Sequence, residues 1–423
     1  MGSSEGAELL GSTVALGAGR SALRQGLSLR EIPVVDVHCH GWRNAATLER
    51  PPEGFLDRIT LTGSCLTASA DGRLLTTSSE EDLWRLTDAT PFALAMKHRL
   101  ARRLRVPPTR HDVSRERHAR YTADPHLYLS NLFEDVQLRG LFVEDGSPRI
   151  PSKEMAVEAG IPVFRVARIE PWIEDLRDDC ASFDELEGRF SEIAVEATRS
   201  DLIAFKSIIG YIVGLDIQEW EAPDVRAAYR RWRDAGWTET RQDAKPVRDT
   251  LLLRVLEIAR ENDRPVHLHS GAGDSSIILE HARPKDLFQL LKNYTDQPIV
   301  LIHSGWPWVE EGAYLAGVFP NVYLDTSVTT PWYSLALDQK LEVLLGLASP
   351  AKIMYGSDHS DPDAIWLSAL LAREALGRVL GQAVERDWFD ETDAMGIAGG
   401  ILGRNALRLH GLDDRLLAAA DES

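Results

Sequence analysis

Two rhythms of hydrophobic and polar positions run along most of this chain: short apolar runs of strand length, and longer stretches with an apolar position every three or four residues. The short runs predict strands at 34–40, 138–143, 162–169, 202–206, 265–269, 299–303, 322–325 and 353–358. Helical stretches of the length a crossover needs lie between them, most clearly at 183–200 and 247–261. About eight β/α units in this order, with no early change of pattern, predict a (β/α)₈ TIM-type barrel rather than an open doubly wound sheet. Residues 392–409 are expected to close it as a helix.

Two stretches break the rhythm. Residues 41–130, after strand one, hold no convincing β-run and carry helical patterns at 80–86 and 92–104; residues 211–248, after strand four, are rich in Trp and charge. Both are expected to be helical insertions. The domain reading is then an N-terminal extension (1–30), a barrel (31–412) with 41–130 as an insertion or lid, and a C-terminal tail (413–423). Residues 1–19 are Gly/Ser/Ala-rich and expected to pack poorly, and 20–31 to form a short helix. No internal repeat or low-complexity linker stands out.

Composition narrows the partners. A chain of 423 residues, 44% hydrophobic and 26% charged, has ample core for one barrel with insertions. Its formal charge of -18 argues against nucleic acid or an anionic membrane as a main partner, since both need basic patches. Cys39, Cys65 and Cys180 give no disulfide framework and suit a reducing cytoplasm. No run approaches roughly 18 uninterrupted apolar residues, and no basic segment leads into an apolar one, so a cytoplasmic protein is expected.

Candidate chemistry sits where the strands end, because the loops there converge on one mouth of a barrel. In Val34-Val35-Asp36-Val37-His38-Cys39-His40, side chains two apart share a face, so His38 and His40 point together and can share one metal ion. A His pair in a buried strand is also an ordinary hydrogen-bonded core feature. Four strands, however, end in groups of this kind: His40, His269, His303 and Asp358. Lys206 closes strand four, with Arg168 and Glu170 around the end of strand three. The cluster Lys97, Arg99, Arg102, Arg103 and Arg105 reads as a solvated helix face, or as a contact for an anionic substrate if the insertion folds over the mouth.

The ordered set Asp36-Val37-His38-Cys39-His40, Arg168-Ile169-Glu170, Phe205-Lys206-Ser207, His269-Ser270-Gly271-Ala272-Gly273-Asp274, Leu301-Ile302-His303, Pro320 to Asp325, Ser357-Asp358 and Asn405-Ala406-Leu407-Arg408-Leu409 resembles the amidohydrolase superfamily, in its amidohydrolase-related branch. It is similar to the amidohydrolase-like half of FluG-type proteins over roughly 31–412, although the first insertion matches poorly. The resemblance implies that His38, His40, His269 and Asp358 hold a divalent metal, zinc first and manganese second, at one or two ions per chain. His303 becomes a second-metal ligand in binuclear members and an oxyanion-polarising or proton-handling group in mononuclear ones. Lys206 becomes a carbamylated bridge, has no metal role, or pairs with Glu170.

Metal-bound water loses a proton near neutral pH, and Asp358 is expected to accept that proton and return it to the leaving group. Its alternative is to cap the helix after strand eight. His267 faces the interior two residues before His269, with a ligand or substrate-facing role open beside the favoured bracing or packing role. His359 is expected to line the pocket rather than to bind the metal. Gly271 to Asp274 reads as a loop bringing backbone N–H groups to a ligand, or as a tight turn. Among Trp306, Trp308, Trp332 and Tyr333, at least one is expected to touch substrate, and Arg168 to hold a substrate carboxylate.

The expected activity is metal-dependent hydrolysis of a C–N amide bond in a small polar, carboxylated molecule. The rivals are a decarboxylase or a sugar-acid isomerase of the same branch, and a catalytically silent binding or scaffold protein. Barrels of this class commonly pair, which makes the Trp-rich insertion a candidate face for a homodimer or higher homo-oligomer.

Overall fold

The computed structural model describes residues 26–63 and 80–418. Most of the N-terminal extension, Cys65 and the last five residues lie outside that range. Eight parallel strands are hydrogen-bonded in sequence order: β1 Val34–His40, β2 Leu138–Glu144, β3 Val163–Arg168, β4 Leu202–Ser207, β5 Val266–His269, β6 Ile299–Ile302, β7 Val322–Asp325 and β8 Ile353–Met354. β8 is shorter than the expected 353–358. Beyond Met354 the chain leaves the β7 ladder and runs beside β1 instead, where Val37 N–H donates to the Tyr355 carbonyl (3.0 Å) and Asp358 N–H to that of His38 (2.8 Å). Those bonds draw the first and last strands together, so the expected (β/α)₈ barrel is what forms.

Helices pack outside the strands because one face of each is apolar. Ala244–Glu261 before β5 buries Leu251, Leu252, Val255, Leu256 and Ile258, and Pro362–Glu385 follows β8. Inside, Val35, Val37, Phe142, Val166, Ile203, Val300, Ile302 and Met354 fill the barrel, so the interior is a core and not a pore. The closing helix is interrupted: Glu391–Gly399 passes through a π-helical turn, Gly400–Arg404, into Asn405–Leu409. Two glycines lead into that turn, and Asn405 Nδ2 then satisfies the Pro350 and Ile353 carbonyls (2.8 Å each), tying the helix under β8. Leu409, Leu412, Leu416 and Leu417 seal the floor.

The described part of the expected 20–31 helix is coil and turn instead. Gly26 takes φ +83 and Leu27 N–H donates to the Gly377 carbonyl (2.9 Å), so this segment docks extended on the last long helix. The first insertion is helical as expected, with Phe55–Arg58, Pro91–Leu104, Arg110–Ala123 and Pro125–Glu134 among its elements. Buried Arg117 clamps it to the barrel through Asp363 (2.6 Å) and Asp361 (3.1 Å), the latter also capping the helix after β8. The tryptophans of the second insertion pack inward: Trp232 is fully buried, and Trp220 Nε1 donates to Asp249 (3.0 Å).

Candidate metal centre

Strand ends from all round the barrel meet at one rim. A register shift lies within the Asp36–Cys39 stretch of β1, and both His38 and His40 meet Asp358 from the segment beyond β8. Asp358 Oδ1 is 3.0 Å from His38 Nε2 and 3.2 Å from His40 Nε2. At the far side, His303 Nε2 lies 3.0 Å from His269 Nδ1. Ligand atoms of His38, His303 and Asp358 all fall within 4.8 Å of one another. His303 and Asp358 sit at φ +70 and +60, a backbone region side chains rarely adopt and one that concentrates at functional sites.

These groups line a cavity of about 420 Å³ together with Glu144, Arg168, Lys206, Arg58, Tyr211, Asp274, Ser276, Trp332 and His359. Its donor set fits a divalent cation. Metal–nitrogen bonds of about 2.0–2.1 Å put neighbouring ligand atoms roughly 3 Å apart, the spacing seen between these side chains. Buried His269 Nε2 and Lys206 Nζ make no hydrogen bond to any described residue.

Electrostatics agree. Burial disfavours a charge on His40, yet its hydrogen bonds to Asp358 and Glu144 raise its pKa to about 10. Burial also opposes the charge on Asp358, but His303, His38 and His40 hold it well below the usual carboxylate range. Asp358 and Glu144, ionised on either side of His40, hold a proton on its ring, and a cation bound at His40 Nε2 would take the place of that proton. Lys206 is pulled down by burial to about 8, so roughly a tenth of it is free amine at pH 7.

Of the residues singled out from sequence, His38, His40, Lys206, His269, His303, Asp358, Arg168 and His359 come together at this cavity. His303 belongs to the tightest triple, whereas His269 joins it through His303. His359 is stacked on Phe92 and edge-on to Trp332, and burial lowers its pKa to about 4, so it presents a neutral imidazole.

Three residues do not line the cavity. His267 lies deeper, Nε2 to Nε2 with His410 at 2.9 Å, because its position in β5 faces the floor. Glu170 turns under β4, accepting from the Ser207 hydroxyl (2.7 Å) and Ile208 N–H (2.9 Å), so it is not the hydrogen-bond partner of Lys206. Trp306 packs on Tyr333, and of the four aromatic residues expected at the mouth Trp332 is the one that lines the wall. The basic helix is also accounted for: Arg99 pairs with Glu374 (2.7 Å) and Arg103 with Asp135, and none of its five cations is among the described residues lining the cavity.

Sequence reasoning missed Glu144, Arg58 and the pair Asp325–Ser327. Glu144 ends β2 and meets His40 Nδ1 at 3.3 Å; burial opposes its charge, but His40 and Arg168 bring it down to about 2. The strand-end rule would have found it had strand two been drawn one residue longer.

Residues 189–412 match the model of the amidohydrolase family. Protein fluG of Emericella nidulans is 32% identical over 259 residues, an alignment covering 57% of this chain and 30% of fluG, so the match spans less than a third of that relative. A Lactobacillus casei protein assigned as a metal-dependent hydrolase superimposes with a TM-score of 0.76 at 23% identity, covering 93% of this chain and 100% of its own. The uronate isomerase of Thermotoga maritima (TM-score 0.66, 14% identity, 93% and 97% covered) and the glucuronate isomerase of Caulobacter crescentus (0.63, 15%, 99% and 99%) share the fold. Among the described residues no helix is long and apolar enough to cross a membrane.

Proposed function

The chain belongs to the amidohydrolase family, whose members are metal-dependent, and from that premise we propose that it is a hydrolase cleaving the C–N bond of an amide in a small polar, carboxylated substrate. The observation that carries this reading is the convergence of His38, His40, His303 and Asp358, with His269 behind, on a cavity walled by Arg58 and Arg168. In it, His38, His40, Asp358 and the His303–His269 pair would hold a divalent cation, zinc best suited to the mixed nitrogen and oxygen set and manganese next. When bound, such a cation acidifies water and polarises a carbonyl.

The side chains do the remaining work. Asp358, ionised near neutral pH, takes the proton of the attacking water on its carboxylate and returns it to the leaving nitrogen. Glu144 orients His40 by accepting from Nδ1, which leaves Nε2 as the donor atom. Arg168, 3.7 Å from Glu144 and 3.6 Å from Glu170, sits at the wall where a paired-donor guanidinium meets a carboxylate. Arg58 brings a second guanidinium from the insertion. The free amine of Lys206 is suited to carbamylation by CO₂, which would recruit a second ion.

A sugar-acid isomerase is the second reading. The likeness to two uronate isomerases extends over nearly the whole chain, the helical insertion included, and the same guanidinium pair suits a uronate carboxylate. One experiment separates the two. Purified protein, supplied with zinc or manganese and its ions counted, is assayed for ammonia or amine release from a panel of carboxylated amides, for aldose–ketose exchange of uronates, and for CO₂ release. Amine release without exchange supports the hydrolase; exchange or CO₂ release alone replaces it with an isomerase or a decarboxylase. No bound ion removes the enzyme reading.

A further inference from the structure

Two rim histidines are braced by carboxylates, and in different ways. His40 meets Glu144 directly, Nδ1 to Oε2 at 3.3 Å. Between His303 and its carboxylate stands a hydroxyl: Ser327 Oγ is 2.7 Å from His303 Nδ1, and 2.7 and 2.8 Å from the two oxygens of Asp325. Asp325 also accepts the backbone N–H of His303 (2.6 Å) and of Ser327 (3.2 Å). Lys340 Nζ donates to the His303 carbonyl (3.4 Å), so ring and backbone of a residue at φ +70 are fixed from several sides.

Counting hydrogens gives the consequence. A serine hydroxyl has one proton to donate. Asp325 collects two backbone N–H groups and that hydroxyl, an acceptor load that suits a carboxylate anion, so the Ser327 proton points to Asp325. Ser327 Oγ can then only accept from His303, and Nδ1 must carry the hydrogen. Nε2 is left bare, and it is the atom aimed at His269 Nδ1 (3.0 Å).

We propose that Asp325 and Ser327 are a positioning pair that sets the tautomer of His303, so that a divalent cation meets a lone pair at Nε2 rather than an N–H. The geometry also explains a hydroxyl at position 327, since a carboxylate acting without it would have to reach the ring itself. Gly356 makes room for the pair: a Cβ there would stand 3.0 Å from Asp325 Oδ2 and 3.1 Å from Ser327 Cβ.

The test uses the full chain labelled with ¹⁵N-histidine, read by long-range ¹H–¹⁵N correlation, with His303→Gln identifying the signal. Wild-type protein without metal should show His303 protonated at Nδ1 and bare at Nε2. Ser327→Ala should populate the other tautomer and weaken zinc binding by about 10- to 100-fold, in the range seen when such supporting partners are removed. Ser327→Thr should restore both. A wild-type signal protonated at Nε2, as follows if Asp325 holds the proton and the relay runs the other way, overturns the proposal, and so does zinc affinity unchanged in Ser327→Ala. If Ser327→Ala does not fold, the wild-type tautomer decides alone. The spectrum and the zinc titration need no turnover, so this proposal and the hydrolase reading fail separately.

Discussion

Two groups of histidines lie inside one barrel, a few residues apart in sequence, and they do opposite things. At the rim, His38, His40, His269 and His303 gather round Asp358, with Glu144 and Asp325 behind them. At the floor, His267 and His410 meet each other beside apolar groups such as Phe142. His410 Nδ1 donates to the Ala406 carbonyl (2.7 Å), so its Nε2 accepts from His267 Nε2–H. His38, His269 and His303 are as buried as His267 and His410, so burial decides nothing between the groups. The difference lies in the carboxylates and the open cavity: burial alone takes His410 down to about 4, while two carboxylates lift His40 to about 10.

The largest effect should come from breaking the rim. Asp358→Asn removes the proton acceptor and one charge from the cluster, and kcat should fall by roughly 10²–10⁴-fold while the circular dichroism spectrum and Tm hold. An active Asn variant would show that the rim carboxylate moves no proton. The matching change at the floor, His410→Leu, should leave the ion count and kcat alone. It strands the His267 N–H, a loss of about 1–3 kcal/mol in urea unfolding. An altered ion count in His410→Leu would merge the two groups into one.

The contrast was half legible in the sequence. Eight strands could be drawn to within a few residues because each is an apolar run ended by a polar group, and His38, His40, His303 and Asp358 followed from their places at those ends. Spacing could not separate His267 from His269. Two residues apart on a strand means the same side, but which level of a barrel a side chain meets depends on partners far along the chain, here His410, 143 positions away. The link from His303 to Ser327 is of the same kind. Residue type offers no sign that a serine 24 positions on will stand against an imidazole. The basic helix misled for a related reason: Arg99 has its carboxylate 275 positions away, at Glu374.

Acid sharpens the comparison by a smaller amount. His410 binds its proton at about 4 in the folded chain against an ordinary 6.5, so the unfolded chain is protonated first as pH falls. Its contribution to stability is whole above about pH 6.5 and declines by about 1.4 kcal/mol per pH unit down to about 4. Unfolding free energy measured between those limits should therefore fall less steeply in His410→Leu than in wild type. Equal slopes would mean that this imidazole is not held neutral by the floor.

The finest probe is one methyl group placed at each level. A Cβ on Gly140 would meet Leu416 Cδ2 at 3.2 Å, and one on Gly356 would meet Asp325 Oδ2 at 3.0 Å. The two clashes are nearly equal as distances but not as consequences. At the floor the neighbours are apolar side chains, Leu416 and Phe164 (3.3 Å), which can shift by a few tenths of an ångström without breaking a hydrogen bond, whereas Asp325 is held by His303 and Ser327 at once and cannot yield without moving the ring they orient. Gly140→Ala should shift Tm slightly and leave zinc affinity untouched; Gly356→Ala should weaken zinc, by less than Ser327→Ala does, because it displaces the hydroxyl without deleting it. If the two variants bind zinc alike, the rim tolerates displacement as the floor does, and its hydrogen bonds serve only to hold the fold.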